Sequence, residues 1–109
     1  MTLRLYILQR ATAALMVPMI AVHLMMIFYA SRHGLSAADI LARTRGSIAW
    51  AAFYGTFVLF AAMHAAIGLR NILDEWTMLK GRSLDMLVLA FAALLVVLGG
   101  RAVIAVVIA

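Results

Sequence analysis

Three apolar runs, each about as long as a bilayer is thick, leave this chain almost no sequence for anything else. From Ala11 to Ala30 there is no Asp, Glu, Lys or Arg, and from Ser47 to Leu69 there is none either. A third run extends from Leu84 to about Ile108, with Asp85 at its very start and Arg101 as the one charge beyond it. A helix needs about 20 such residues to cross a hydrocarbon core about 30 Å thick. The expected fold is therefore all-α: one domain over residues 1–109, with three transmembrane helices over about 5–30, 47–70 and 84–108. The second is expected to continue as a helix to about Leu79, past the membrane surface.

Composition agrees. Hydrophobic residues make up 68% of the chain and charged ones 12%, against about 45–50% and about 25% in soluble domains. The formal net charge of +5 would suit a nucleic-acid partner, but the basic residues stand at the ends of the apolar runs, where membrane flanks carry them. No nucleic acid is expected. There is no cysteine, which excludes disulfides, thiolate metal sites and covalent c-type haem. Arg4 and Arg10 before the first run imitate a signal peptide. A signal's apolar stretch is only about 7–15 residues, so this run reads as an uncleaved span. Pro18 within it removes the donor to the carbonyl near Ala14 and is expected to bend the helix.

Between the first two spans, Gly34 is a break, and Ser36-Ala37-Ala38-Asp39 has the form of a capping box opening a short interfacial helix to about Thr44. Trp50 and Tyr54 resemble an interfacial aromatic belt, while Gly55 and Gly68 would let a helix or a flat ligand approach closely. Lys80-Gly81-Arg82-Ser83 reads as a turn, and Gly99-Gly100-Arg101 as an interruption of the third span. Arg4, Arg10, Arg70, Lys80 and Arg82 lie on one side and Arg32, Arg43, Arg45 and Arg101 on the other. This bias puts the N-terminus inside and the C-terminus outside, in a membrane such as the bacterial inner membrane.

The chemistry-bearing stretch is His64-Ala65-Ala66-Ile67-Gly68-Leu69-Arg70-Asn71-Ile72-Leu73-Asp74-Glu75-Trp76. On a helix of about 3.6 residues per turn, Gly68 lies about 40° and Glu75 about 20° from His64. One face would then carry an imidazole, a smooth gap for a flat ligand and an acid at the water boundary, which suits a haem with a polar site at its edge. Thr12 and Met16 share the face of the first span that carries His23. Measured from Arg70 and Arg10 as inner boundaries, His64 lies about 9 Å and His23 about 20 Å deep, at about 1.5 Å per residue. Different depths would serve two stacked haems rather than one iron. The plainer alternative makes both histidines interhelical hydrogen bonders, Asp74 and Glu75 a solvated helix end, and Arg10 and Arg70 flanking anchors.

Three spans in this length, the opening Gln9-Arg10-Ala11-Thr12-Ala13 and the motif His64-x3-Gly68-x-Arg70-x4-Glu75 resemble the membrane-anchor (cytochrome b) subunits of succinate dehydrogenase and fumarate reductase. The resemblance covers almost the whole chain. It implies that His64 is an axial ligand of haem b, that Arg10 and Arg70 lie near the haem propionates, and that the acid and its aromatic neighbour lie near the quinone site. Candidates there are Glu75, Asp74, Trp76 and Thr12. The family usually has Asp eleven residues after the histidine and then Tyr or Phe; here Glu75 and Trp76 stand instead, and an indole cannot act as a phenol. Val22-His23-Leu24 followed by Tyr29-Ala30 resembles the first-helix ligand region of two-haem members, making His23 a candidate second iron ligand.

The resemblance further implies an iron–sulfur subunit and a flavoprotein on the inner surface, and a second membrane anchor, related or identical, that completes a multi-helix haem-binding bundle. Electrons would pass between the iron–sulfur subunit and the quinone pool, with no catalysis by this chain alone. A haem-free anchor that only docks partners is the alternative. A small multidrug-type transporter fits worse: it needs four spans and an intramembrane carboxylate.

Overall fold

The structure, a computed structural model, describes residues 2–108; Met1 and Ala109, the two ends of the expected domain, lie outside the described residues. Four helices follow one another: α1 (Leu3–Arg32), α2 (Ala37–Thr44), α3 (Ile48–Trp76) and α4 (Gly81–Val107). α1, α3 and α4 are long and apolar enough to cross a membrane, and no strand occurs among the described residues. α3 is central, packing on α1 along one side and α4 along the other, while α2 folds against α4.

Local chemistry sets the helix ends. The Thr2 hydroxyl accepts the Leu5 N–H at 3.3 Å and starts α1. At its other end Leu35 N–H donates to the Ala30 carbonyl at 3.0 Å and Gly34 N–H to Ser31 at 3.4 Å. These two bonds form a Schellman motif, which needs the left-handed φ of +61° that Gly34 supplies. The Ser36–Asp39 capping box forms in both directions, at 3.2 and 2.9 Å. The α2–α3 connection then closes α4 from outside the helix. Thr44 Oγ1 donates to the Val106 carbonyl at 2.5 Å and Gly46 N–H to Val107 at 2.7 Å. Both are terminal carbonyls with no partner in their own helix, so the short helix acts as a C-terminal cap for the last span.

Two sequence expectations need correction. α3 stops at Trp76 rather than Leu79: Thr77 is extended, its hydroxyl turns back to the Leu73 carbonyl, and that same oxygen accepts the Leu79 N–H at 3.2 Å. The Lys80 ammonium also bonds the Asp74 carbonyl, a favourable cation at a helix C-terminus. Gly99-Gly100-Arg101 does not interrupt α4, which is continuous through it. Gly99 instead makes the α3–α4 contact: a Cβ there would stand 2.5 Å from Val58 Cγ1. Gly55, where a helix or a flat ligand was expected to approach closely, stands open, with nothing of this chain within 4 Å of a Cβ placed there. α1 runs as a single helix with Pro18 inside it.

The inner side of α1 is a stripe at alternating four- and three-residue steps: Leu5, Gln9, Thr12, Met16, Met19, His23, Met26 and Ala30 are all buried or half-buried. Such a spacing keeps one seam of a helix against its neighbour. Every polar side chain in the middle of α1 therefore faces the bundle. Leu15, Val17, Leu24, Met25 and Phe28 point away and are largely exposed, as lipid-facing residues are.

Candidate functional site

His64 sits in the second half of α3 on the side turned to α1. Its Nδ1 lies 3.2 Å from the Thr12 hydroxyl. Thr12 is 3% exposed, and the same hydroxyl oxygen is 2.7 Å from the Leu8 carbonyl and 3.0 Å from that of Gln9. The stripe on α1 and the helix repeat of α3 bring these two residues together across 52 positions of sequence. Thr12, expected beside the quinone, thus has its hydroxyl engaged by His64 and its own helix.

One turn further on, Gly68 does not leave an open gap. A Cβ at Gly68 would stand 3.4 Å from the Gln9 side-chain nitrogen, so the Gln9 amide covers that face. The Gln9 Oε1 atom is buried without a hydrogen-bond partner, an unmet acceptor one turn from His64. Sequence reading passed over Gln9 apart from its place in a motif. Its position on the α1 stripe, three residues before Thr12, was the signal.

Toward the end of α3 the charges are paired. The Arg70 guanidinium bonds the Asp85 carboxylate of α4, a partner the sequence reading did not single out. Asp74 accepts from Lys80 at 2.9 Å. Arg70, Asn71 and Asp74 face Thr2 and Leu5 across a polar recess of about 380 Å³. Glu75 and Trp76 are exposed beyond it, Trp76 to 81%, so the His64–Glu75 alignment drawn on a helical wheel becomes a half-buried imidazole and a surface acid. Arg10 is exposed and lies over the Tyr6 ring, 5.5 Å from its centroid.

His23 opens into a different space. A cleft of about 590 Å³ separates α1 from α4 at the far end of the bundle, floored by α2 and backed by Tyr54, Phe57 and Val58 of α3. The His23 ring lies edge-on to Tyr54 and Phe57, at 6.0 and 5.6 Å between centroids. Its Nδ1 is buried with no hydrogen-bond partner. Arg43 stands at this end and also covers Trp50, 5.6 Å from the ring centroid. Because His64 is level with Thr12, and His23 is eleven residues further along α1, the two imidazoles are separated by about 16 Å along the axis. His33 stacks on Tyr29 at 4.2 Å and takes no part in either site.

The donor chemistry narrows what these histidines can hold. Among the described residues no three His, Cys, Asp or Glu side chains come together, so zinc-type sites with three or four protein ligands are not built. Isolated imidazoles fit an iron whose other ligands come with a macrocycle and which asks the protein only for axial nitrogens. His23 has no bond on its Nδ1, and His64 is bonded through Nδ1 alone.

Comparison with known proteins agrees with the fold. The family model for the succinate dehydrogenase/fumarate reductase transmembrane subunit matches residues 1–99. No curated protein and no solved structure gives a significant match. The match takes in α1, α2, α3 and most of α4, with both histidines inside it. The chain belongs to the succinate dehydrogenase/fumarate reductase transmembrane-subunit family.

Proposed function

We propose that this chain is a cytochrome b-type anchor of a succinate:quinone oxidoreductase, with His64 as an axial ligand of haem b. The observation that carries the reading is the setting of His64. It is a lone imidazole on a membrane-length helix, half-buried, and tied through one nitrogen to a buried hydroxyl on the neighbouring span. Ionisable residues inside spans are functional by default, because burying them costs energy that only a role repays. When bound, the haem supplies a one-electron carrier between the iron–sulfur subunit and quinone.

The protein's own part is positional. α3 holds His64 at a fixed depth, and α1 fixes its ring through Thr12. Arg10 and Arg70 stand toward the inner edge as partners for propionates, Arg70 exchanging or sharing its bond to Asp85. Asp74 lines the polar recess, with Glu75 and Trp76 exposed beyond it, where a quinone head group would meet water and an acid able to pass protons. Gly68, with the Gln9 amide against it, lies on α3 between His64 and Arg70. One histidine per level means that the second axial ligand comes from a second membrane anchor, related or identical, which completes the haem-binding bundle. The iron–sulfur subunit and the flavoprotein dock on the inner surface, where the N-terminus lies. The C-terminus faces outside, and the host is a bacterial inner membrane.

A two-haem version has its own support. His23 carries a buried nitrogen with no partner, in a cleft large enough for a ligand, one level away from His64. A second haem there would let electrons cross the membrane as well as reach the quinone.

The reading is tested by affinity purification of this chain from its native membrane. A flavoprotein, an iron–sulfur protein and a second anchor are expected to co-elute with succinate-dependent quinone reduction or quinol-dependent fumarate reduction. A chain that elutes alone, from membranes that retain those activities, would refute it.

A further inference from the structure

The Thr12 hydroxyl decides which nitrogen of His64 carries the proton and which keeps its lone pair. A hydroxyl carries one proton and two lone pairs. Thr12 Oγ1 stands 2.7 Å from the Leu8 carbonyl and 3.0 Å from the Gln9 carbonyl. Two oxygens that close to a third repel unless a proton lies between, so the threonine spends its proton on its own helix, as threonines within helices do. What faces His64 at 3.2 Å is then a lone pair. Nδ1 must therefore carry the hydrogen and donate it. In the neutral imidazole the lone pair is left on Nε2.

We infer that Thr12 is the positioning residue for His64, holding it in the Nδ1–H tautomer with Nε2 free to ligate. The inference rests on the haem reading above. It goes further by naming a residue that acts through His64 to set ligand geometry and basicity. Outer partners of this kind fix ring orientation and raise the electron density of the ligating nitrogen. His23 has no such partner on its Nδ1, so the two imidazoles of this chain are prepared differently, the His64 one more rigidly.

The test uses the complex purified from membranes, with wild type, Thr12→Val, Thr12→Ser and His64→Ala compared. Haem retained against an excess of a soluble haem-binding protein gives relative affinity, and a redox titration gives the midpoint potential. Thr12→Val keeps the shape and loses the hydroxyl. It is expected to weaken haem retention about 10- to 100-fold and to raise the potential of what remains, because a less basic imidazole stabilises ferric iron less. Thr12→Ser should restore both. Thr12→Val indistinguishable from wild type, or Thr12→Ser as impaired as Thr12→Val in an intact complex, would overturn the assignment. If Thr12→Val does not assemble, Thr12→Ala takes its place, with the same criteria. His64→Ala separates the two levels. Haem lost there but normal in Thr12→Val sinks only the role of Thr12. A haem content unchanged by His64→Ala, or no haem in wild type, sinks the haem reading and this inference together.

Discussion

Arg70 shows how one residue's meaning depends on a neighbour far away in sequence. Read alone, it is a flank or a propionate partner; in the fold it meets Asp85 on the next span. The two side chains are 33% and 54% exposed, and pairs at such sites contribute about 0–1 kcal/mol. A double-mutant cycle of Arg70→Ala and Asp85→Ala, followed by thermal unfolding in detergent, should give a coupling no larger than about 1 kcal/mol. A larger value would mean that the pair is far less solvated in the membrane. His64 was legible from its place in an apolar run, and so was its relation to Gly68. Its bond to Thr12 was not, because helical periodicity places a residue on a face without saying what the opposite helix presents there. Thr44 is a parallel case. It is 2% exposed, and Thr44→Val should cost about 1 kcal/mol by leaving the Val106 carbonyl without its donor.

Helix ends and contacts followed short-range chemistry closely. Ser36, Asp39 and Gly34 each announced their roles by residue type and spacing, and the capping box and Schellman motif formed accordingly. α3 ended early because Thr77 and Lys80 satisfied its last carbonyls, a competition between side chains that an apolar pattern does not report. Gly99 was read as a break and is instead a contact, since glycine inside a membrane helix serves close packing as readily as bending. Gly99→Val should therefore disturb the α3–α4 seam by about 1–3 kcal/mol. A concurrent Val58→Ala should recover part of that loss, read by melting temperature. The capping box carries a pH dependence. Bonds from the Ser36 backbone and hydroxyl hold the Asp39 carboxyl below its usual value of 3.8. A depressed folded-state value means that its contribution is complete above the unfolded value and is lost as pH falls through the folded one. α2 should thus be intact at neutral pH and loosen only below about pH 4. Protease or hydrogen-exchange protection of residues 36–44 measures this, and Asp39→Asn should abolish the dependence.

As a whole molecule, the chain keeps little to itself. Its buried hydrophobic residues among those described are Ala62, Ala66, Ile67, Leu84 and Val107, while long apolar side chains cover its outside. The class of fold was plain from the three runs, because in lipid only structures that satisfy their own backbone can span, and apolar stretches this long become helices. The site was legible in its parts but not in its assembly. α1 and α4 flank α3 in such a way that His64 meets Thr12 near one end while His23 opens into the cleft at the other. The separation of about 16 Å between them puts the two imidazoles at different levels, so under the proposed haem reading each would need its second axial ligand from a partner anchor. The most direct test is a reduced-minus-oxidised visible spectrum of the purified complex, with haem counted per anchor chain, for wild type, His64→Ala and His23→Ala. A b-type spectrum that His64→Ala removes in part or whole is the predicted result, with His23→Ala removing a separate component if the second level is filled. A wild-type complex without haem, or one whose spectrum is unchanged by His64→Ala, would contradict the account.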